Sequence, residues 1–242
     1  MSLRSFITVV ASPRPRVGKT LVARLLADFH LHNGRDVAIF DINGDDAAMT
    51  QHMPRLSAPA DVSEIHGQMA LFDRLVADDG VHKIVDLGHP AFKIFFDVAK
   101  QIDFAAEVRR RGLAAVVLFI ATPDATSVEA YADLRHRLPL AAIVPVQNEI
   151  LGVAQHRDKF AMPGAGATPI QISALAPGLR KVIDRKPFSF ADTPASDVPL
   201  EMHMELQRWL RKVYVEFRQL ELRVLLSDLS RSLGTAPDST RI

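Results

Sequence analysis

The chain of 242 residues contains no cysteine. That absence removes disulfides, thiolate metal sites and cysteine nucleophiles together, and it suits a reducing compartment. Long apolar runs are missing as well: no uncharged stretch approaches the roughly 20 residues that a membrane-spanning helix needs. Nor does one sign of charge dominate. Lysine and arginine number 29 against 28 aspartates and glutamates, so no global field draws the chain to nucleic acid or an anionic membrane. Any such binding must come from a local patch. The first residues, Met1-Ser2-Leu3-Arg4, run into an apolar segment too short for a signal peptide, and the expected location is the cytoplasm. What remains, 48% hydrophobic and 24% charged residues, is the balance of an ordinary globular protein. The expectation is a single domain over residues 1–242.

Phe6-Ile7-Thr8-Val9-Val10-Ala11 is a β-branched apolar run leading into the turn Ser12-Pro13-Arg14-Pro15-Arg16, which reads as a buried strand ending in a loop. From Gly18 onward, Leu21, Val22, Leu25, Leu26 and Phe29 recur at helical spacing until Asn33-Gly34 supplies a stop. Further strands are predicted at Val37 to Asp41, Lys83 to Asp86, Ala114 to Ala121, Ala141 to Val146 and Pro169 to Ile172. Helices are predicted at Ser63 to Val76, Phe92 to Arg111 and Ser127 to Leu138. This alternation predicts an α/β fold, a mainly parallel sheet flanked by helices. A long C-terminal helix, about 199–232, places Leu206, Leu210, Val213, Phe217, Leu220 and Val224 on one narrow seam. The seam fits either docking on the domain's own sheet and helices or contact with a second chain. Gly164-Ala165-Gly166 reads as a connecting loop.

Gly18-Lys19-Thr20 follows a strand and opens a helix, where backbone N–H groups and the helix N-terminus can cradle phosphate. Gly18 lets the backbone approach a ligand, Lys19 reaches the β- and γ-phosphates, and the Thr20 hydroxyl suits magnesium. Asp41 and Asp86 each close a strand; a carboxylate placed as Asp86 is can hold magnesium through water, and Asp41 also fits an ordinary strand-to-loop turn. His89 in Leu87-Gly88-His89-Pro90 reads as a turn or surface histidine, and no HExxH pattern occurs.

The segment Arg14-Pro15-Arg16-Val17-Gly18-Lys19-Thr20 resembles the deviant Walker A motif of ParA/MinD-type P-loop ATPases, KGGxGK[ST]. The resemblance implies a three-layer α/β/α P-loop NTPase fold, with ATP or ADP and Mg2+ held by Arg16, Val17, Gly18, Lys19 and Thr20. It puts Arg14 in the place of the signature lysine, which reaches the nucleotide of the other subunit. Asp41 then matches the aspartate that orients water or the magnesium shell, Asp86 matches the Walker B aspartate, and Asn148 matches the asparagine whose amide contacts adenine. A structural loop asparagine is the other reading of Asn148. Thus Lys19, Asp41 and Arg14 are the expected catalytic set, with Thr20 and Asp86 at the metal. Three positions depart from the pattern: Pro15 and Arg16 stand where the family has glycines, and Asn43 where it has a second aspartate. Proline removes an N–H from the cradle, and a side chain at position 16 resists positive φ.

The resemblance spans about residues 5 to 187, and the features after Asp86 look closest to StbB/TraL-type members associated with plasmid stability and conjugation. It implies a slow ATPase acting as an ATP-dependent homodimer switch in DNA or plasmid partition or cellular positioning, with DNA or a partition or conjugation protein as partner. Arg109-Arg110-Arg111 and Arg180-Lys181 are the candidate nucleic-acid contacts, or else solvated surface. Two alternatives stand beside it: a hydrolysis-impaired nucleotide-binding scaffold, motivated by Pro15, Arg16 and Asn43, and an ATP-dependent ligase similar to dethiobiotin synthetase, motivated by Val17-Gly18-Lys19-Thr20-Leu21.

Overall fold

A computed structural model describes residues 4–44, 46–151, 168–190 and 198–234. The strands are β1 (Phe6–Ala11), β2 (Val37–Ile42), β3 (Ser57–Pro59), β4 (His82–Leu87), β5 (Ala114–Ile120), β6 (Ala142–Asn148) and β7 (Ile170–Ile172). They form one sheet in the order β3-β2-β4-β1-β5-β6-β7, and every neighbouring pair is parallel. The helices are α1 (Lys19–His32), α2 (Ala48–His52), α3 (Ile65–Leu75), α4 (Phe92–Gln101), α5 (Phe104–Arg110), α6 (Ala125–Arg137), α7 (Pro177–Ile183) and α8 (Leu200–Gly234).

Alternation along each strand splits the core in two. In β1, Phe6 and Val10 join one apolar cluster while Ile7, Val9 and Ala11 join the other. The first cluster is completed by α1, α7 and α8, and the second by α3, α4, α5 and α6. A fully parallel sheet buries both faces, which accounts for strands that read as nearly continuous apolar runs. The result is three layers, helices over both faces of the sheet.

The seam of α8 turns inward: Leu206, Leu210, Val213, Phe217, Leu220 and Val224 are all buried in the α1-side cluster. Burial of each contributes about 2 kcal/mol. Phe217 meets Phe29 of α1 with ring centroids 5.7 Å apart, and Trp209 donates its indole N–H to the Ser173 carbonyl at 2.9 Å.

The structure differs from the sequence expectations at several places. The helix expected over Phe92 to Arg111 is broken at Asp103, whose left-handed backbone (φ 50°) separates α4 from α5. The apolar spacing runs through the break because Phe95, Phe96, Phe104 and Val108 face the same core. The short elements β3, α2 and α7 were not expected from the pattern. The Gly164-Ala165-Gly166 loop lies outside the described residues.

Candidate functional site

Because all strands run the same way, their C-terminal ends share one edge of the sheet. Val10 lies in register with Asp86 and Asp86 with Asp41, so the loop after β1 opens beside the two strand-end carboxylates. Residues 12–18 then turn the chain into α1. Gly18 has φ 86° and ψ 25°, a conformation that glycine adopts without strain, and no side chain caps the first turn of α1. This helix start lies at a cleft of about 630 Å³, lined by residues 15–21, Asn43, Asp46, Gly88 to Pro90, Asn148, Ile150, Arg180, Ile183 and Asp184.

Arg16 also adopts positive φ, 58°. The loop thus keeps a left-handed position there with a side chain present, at a cost of about 1 kcal/mol. Arg16→Gly is therefore expected to leave the chemical denaturation midpoint unchanged or raise it slightly, since relief of strain offsets the added freedom of the unfolded chain. A clear loss of stability would show that the Arg16 side chain supports the loop.

Lys19 is buried, and its Nζ donates to the Arg14 carbonyl at 2.9 Å, folding the lysine back over its own loop. Burial lowers its pKa, opposed by the Asp86 charge. The Thr20 hydroxyl donates to Asp86 Oδ2 at 2.6 Å. Asp86 is wholly buried, and its Oδ1 has no hydrogen-bond partner. Burial pushes its carboxyl up to about 7, the Thr20 bond opposes this, and the neighbouring Asp41 charge adds to it. A hydroxyl and a carboxylate with a spare oxygen are hard donors that fit Mg2+ shared with phosphates and water. Among the described residues no group of three or more His, Cys, Asp or Glu could hold a metal.

Asp41 is 2% exposed, and neither oxygen faces the cleft. Oδ2 accepts from the Thr50 N–H at 2.8 Å and from the Thr50 hydroxyl at 3.1 Å, while Oδ1 accepts from the Asn43 amide at 2.6 Å. Asn43 also donates to the Asp86 carbonyl at 3.2 Å and stands between Asp41 and the cleft. Gly88 closes the same wall: a Cβ there would lie 2.5 Å from the Ile42 carbonyl, so the β4–α4 loop passes β2 only without a side chain.

Arg14 lies outside the cleft lining. Its Nε and Nη2 donate to Asp124 Oδ1 at 2.9 and 2.5 Å, and Nη2 reaches the Thr126 hydroxyl at 3.1 Å. Asp124 caps α6 through the Ser127 N–H, and the Arg14 bonds hold its carboxyl down at about 2. At the opposite end, the Asn148 amide donates to the Val17 carbonyl at 3.1 Å and its oxygen accepts from the Ile150 N–H at 3.3 Å. Buried to 1% exposure, Asn148 braces the loop after β1 from the end of β6. Arg180 and Asp184, on and just after α7, line this end of the cleft, where Arg180 reaches the Ile150 carbonyl at 3.3 Å. The other basic run is partly engaged, since Glu107 accepts from Arg110 and Arg111.

The structure thus brings Gly18, Lys19, Thr20 and Asp86 together and keeps Arg14 and Asp41 off the cleft lining, Arg14 on Asp124 and Thr126 and Asp41 on Thr50 and Asn43. Asp46 belongs to the loop after Asn43, which the resemblance makes switch-like; Arg180 was expected as a nucleic-acid contact, and Asp184 was missed because it follows the short α7, which carries no periodic signal. No family model matches the chain, and no curated protein matches it in sequence. Among solved structures it is similar to a nucleotide-binding protein from Archaeoglobus fulgidus in complex with ADP, at 15% identity, with 87% of each chain covered and a TM-score of 0.37. It is also similar to the signal recognition particle 54 kDa protein from Aeropyrum pernix K1 in complex with GDP, at 15% identity and a TM-score of 0.45. That match covers 86% of this chain and 50% of the other, so this chain spans half of that protein's length. No helix among the described residues is long and apolar enough to cross a membrane.

Proposed function

We propose that the chain is an ATP-binding protein of the ParA/MinD type, a slow magnesium-dependent ATPase that works as a nucleotide-dependent dimer switch in DNA partition or cellular positioning. The observation that carries this reading is the junction of β1 and α1. There a left-handed Gly18, an uncapped helix start, Lys19 and the Thr20–Asp86 pair meet at one mouth of a cleft large enough for a nucleotide.

The loop N–H groups and Lys19 bind the phosphates, Lys19 exchanging the Arg14 carbonyl for phosphate oxygens. Thr20 and Asp86 would hold Mg2+, which would supply positive charge to neutralise the phosphates. Asp41 must leave Thr50 and Asn43 before it can orient an attacking water. A water without the Asp41 carboxylate to orient it is poorly activated, and this favours slow turnover.

Coupling between subunits runs through Arg14 in this reading, which must leave Asp124 to reach a second nucleotide. Light scattering behind size exclusion tests it. MgATP is expected to double the apparent mass and ADP is not, while Arg14→Ala is expected to bind ATP yet stay monomeric. A monomer at saturating MgATP would remove the dimer switch and leave the hydrolysis-impaired scaffold as the better reading.

A further inference from the structure

Glu201 and Glu205 are exposed at the start of α8, and from residue 208 to 230 its charges are sorted between two faces. Glu216 accepts from the Gln171 backbone N–H at 3.2 Å, Glu221 pairs with Arg35, and Asp228 pairs with Arg4, so these acidic side chains turn toward the body. The exposed positions from 208 to 230 include no carboxylate. Arg208, Arg211, Lys212 and Arg218 lie there, and none makes an ion pair or side-chain hydrogen bond among the described residues. Between and beyond them run Val215, Leu222, Leu226 and Leu229, exposed by 51, 55, 61 and 58%. Their steps of seven, four and three residues put them on one line down the helix.

We propose that this outward strip of α8 docks an acidic amphipathic helix of a partner protein. An aliphatic line flanked by unpaired cations is complementary to a helix with apolar residues at three- and four-residue steps and carboxylates opposite residues 208–218. A second copy of α8 is a poor occupant. Its exposed positions from 208 to 230 hold no carboxylate to meet Arg208, Arg211, Lys212 and Arg218, and parallel pairing sets Arg211 on Arg211 and Arg218 on Arg218. Nucleic acid would use the four cations and leave the leucines in water. A lipid surface calls for a broad apolar face with aromatic anchors, whereas Trp209 and Phe217 are buried and the inner face of α8 is committed to the core. The docked helix would lie one layer from the loop after β1, because α8 packs on α1 through Phe217 and through Tyr214 on Asp28.

The probe is a synthetic helical peptide of about three heptads, held monomeric by a side-chain staple, with leucine at a and d and glutamate at e and g. Titrated calorimetrically into the full chain at low salt, it is expected to bind. Binding is expected to weaken by about tenfold or more in Arg211→Glu/Arg218→Glu and in Leu222→Ser/Leu226→Ser, with the melting curves of both variants retained. A lysine version of the peptide is expected not to bind. Failure of the glutamate peptide to bind, or equal affinity for the wild type and both variants, would overturn the proposal. Duplex DNA and phosphatidylglycerol vesicles are titrated alongside, and binding of either one in place of the peptide would overturn it as well.

Discussion

Replacing Lys19 by alanine is expected to weaken MgATP binding by about 100-fold or more, to abolish turnover, and to leave the melting temperature of the ligand-free protein nearly unchanged. The two halves of this expectation have different origins. Affinity falls because Lys19 is the buried cation at the start of α1, beside the cradle where phosphate charge must be compensated. Stability holds because burial already disfavours the charged lysine, which bonds to the Arg14 carbonyl rather than to any core group. Loss of the Lys19 charge also leaves Asp86 free to protonate, since that carboxyl titrates near 7 before the change. Calorimetric titration with MgATP, paired with a thermal melt, reads both quantities. Undiminished affinity would remove Lys19 from the phosphate site, and with it the proposed nucleotide chemistry.

Local sequence carried the parts of this protein whose signals are local. The run Phe6–Ala11, the turn after it and the spacing of Val22, Leu25, Leu26 and Phe29 specify strand, loop and helix because each residue's partners lie within a few positions. The inward seam of α8 was legible for the same reason, although which surface it meets was not. β3 is three residues long and α7 seven, too short for a period to emerge, and the break at Asp103 leaves the apolar spacing intact. The loop residues at 14–20 could be put in register with a known motif, yet their engagement could not. Arg14 is bound by Asp124, which lies 110 residues away. Asp41 is held by Thr50 from the unexpected α2, and Asn148 bonds a carbonyl 131 residues distant. Such partners are set by how the strands are ordered in the sheet, which spacing along the chain does not encode. Positive φ at Arg16 is a further case: the loop geometry prevails over the intrinsic preference of the residue.

Lowering the pH from 8 to 4 is expected to cost the fold several kcal/mol, with most of the loss between pH 6.5 and 4. His30 and His82 stack at 4.0 Å beneath α8, and His82 also stacks on Phe6 and accepts the Phe6 backbone N–H at 3.3 Å. Burial, the His82 ring and Arg35 pull His30 down to about 2, and burial, Arg35 and Lys83 pull His82 down to about 4. On the far side of α1, burial, Arg24 and Lys186 pull His52 down to about 4. Each of these histidines binds a proton in the unfolded chain below its ordinary 6.5 and resists it in the fold, so stability is present above 6.5 and is lost as the pH falls. For His30 alone the linkage amounts to about 3 kcal/mol by pH 4. Glu221, 3.9 Å from His30 Nδ1, softens this, but it is already paired with Arg35. The salt-bridged carboxyls of Glu107 and Asp124 titrate in the unfolded chain at 4.5 and 3.8, so their losses begin lower; Asp86, at about 7 in the fold against 3.8 unfolded, takes up its proton in the fold first and offsets part of the histidine loss between pH 7 and 4. Urea midpoints measured from pH 8 to 4 give the slope. His30→Gln, neutral throughout, is expected to lower stability at pH 8 and to flatten the fall between 6.5 and 4. An unchanged slope in that variant would mean that the stacked pair is not what acid attacks.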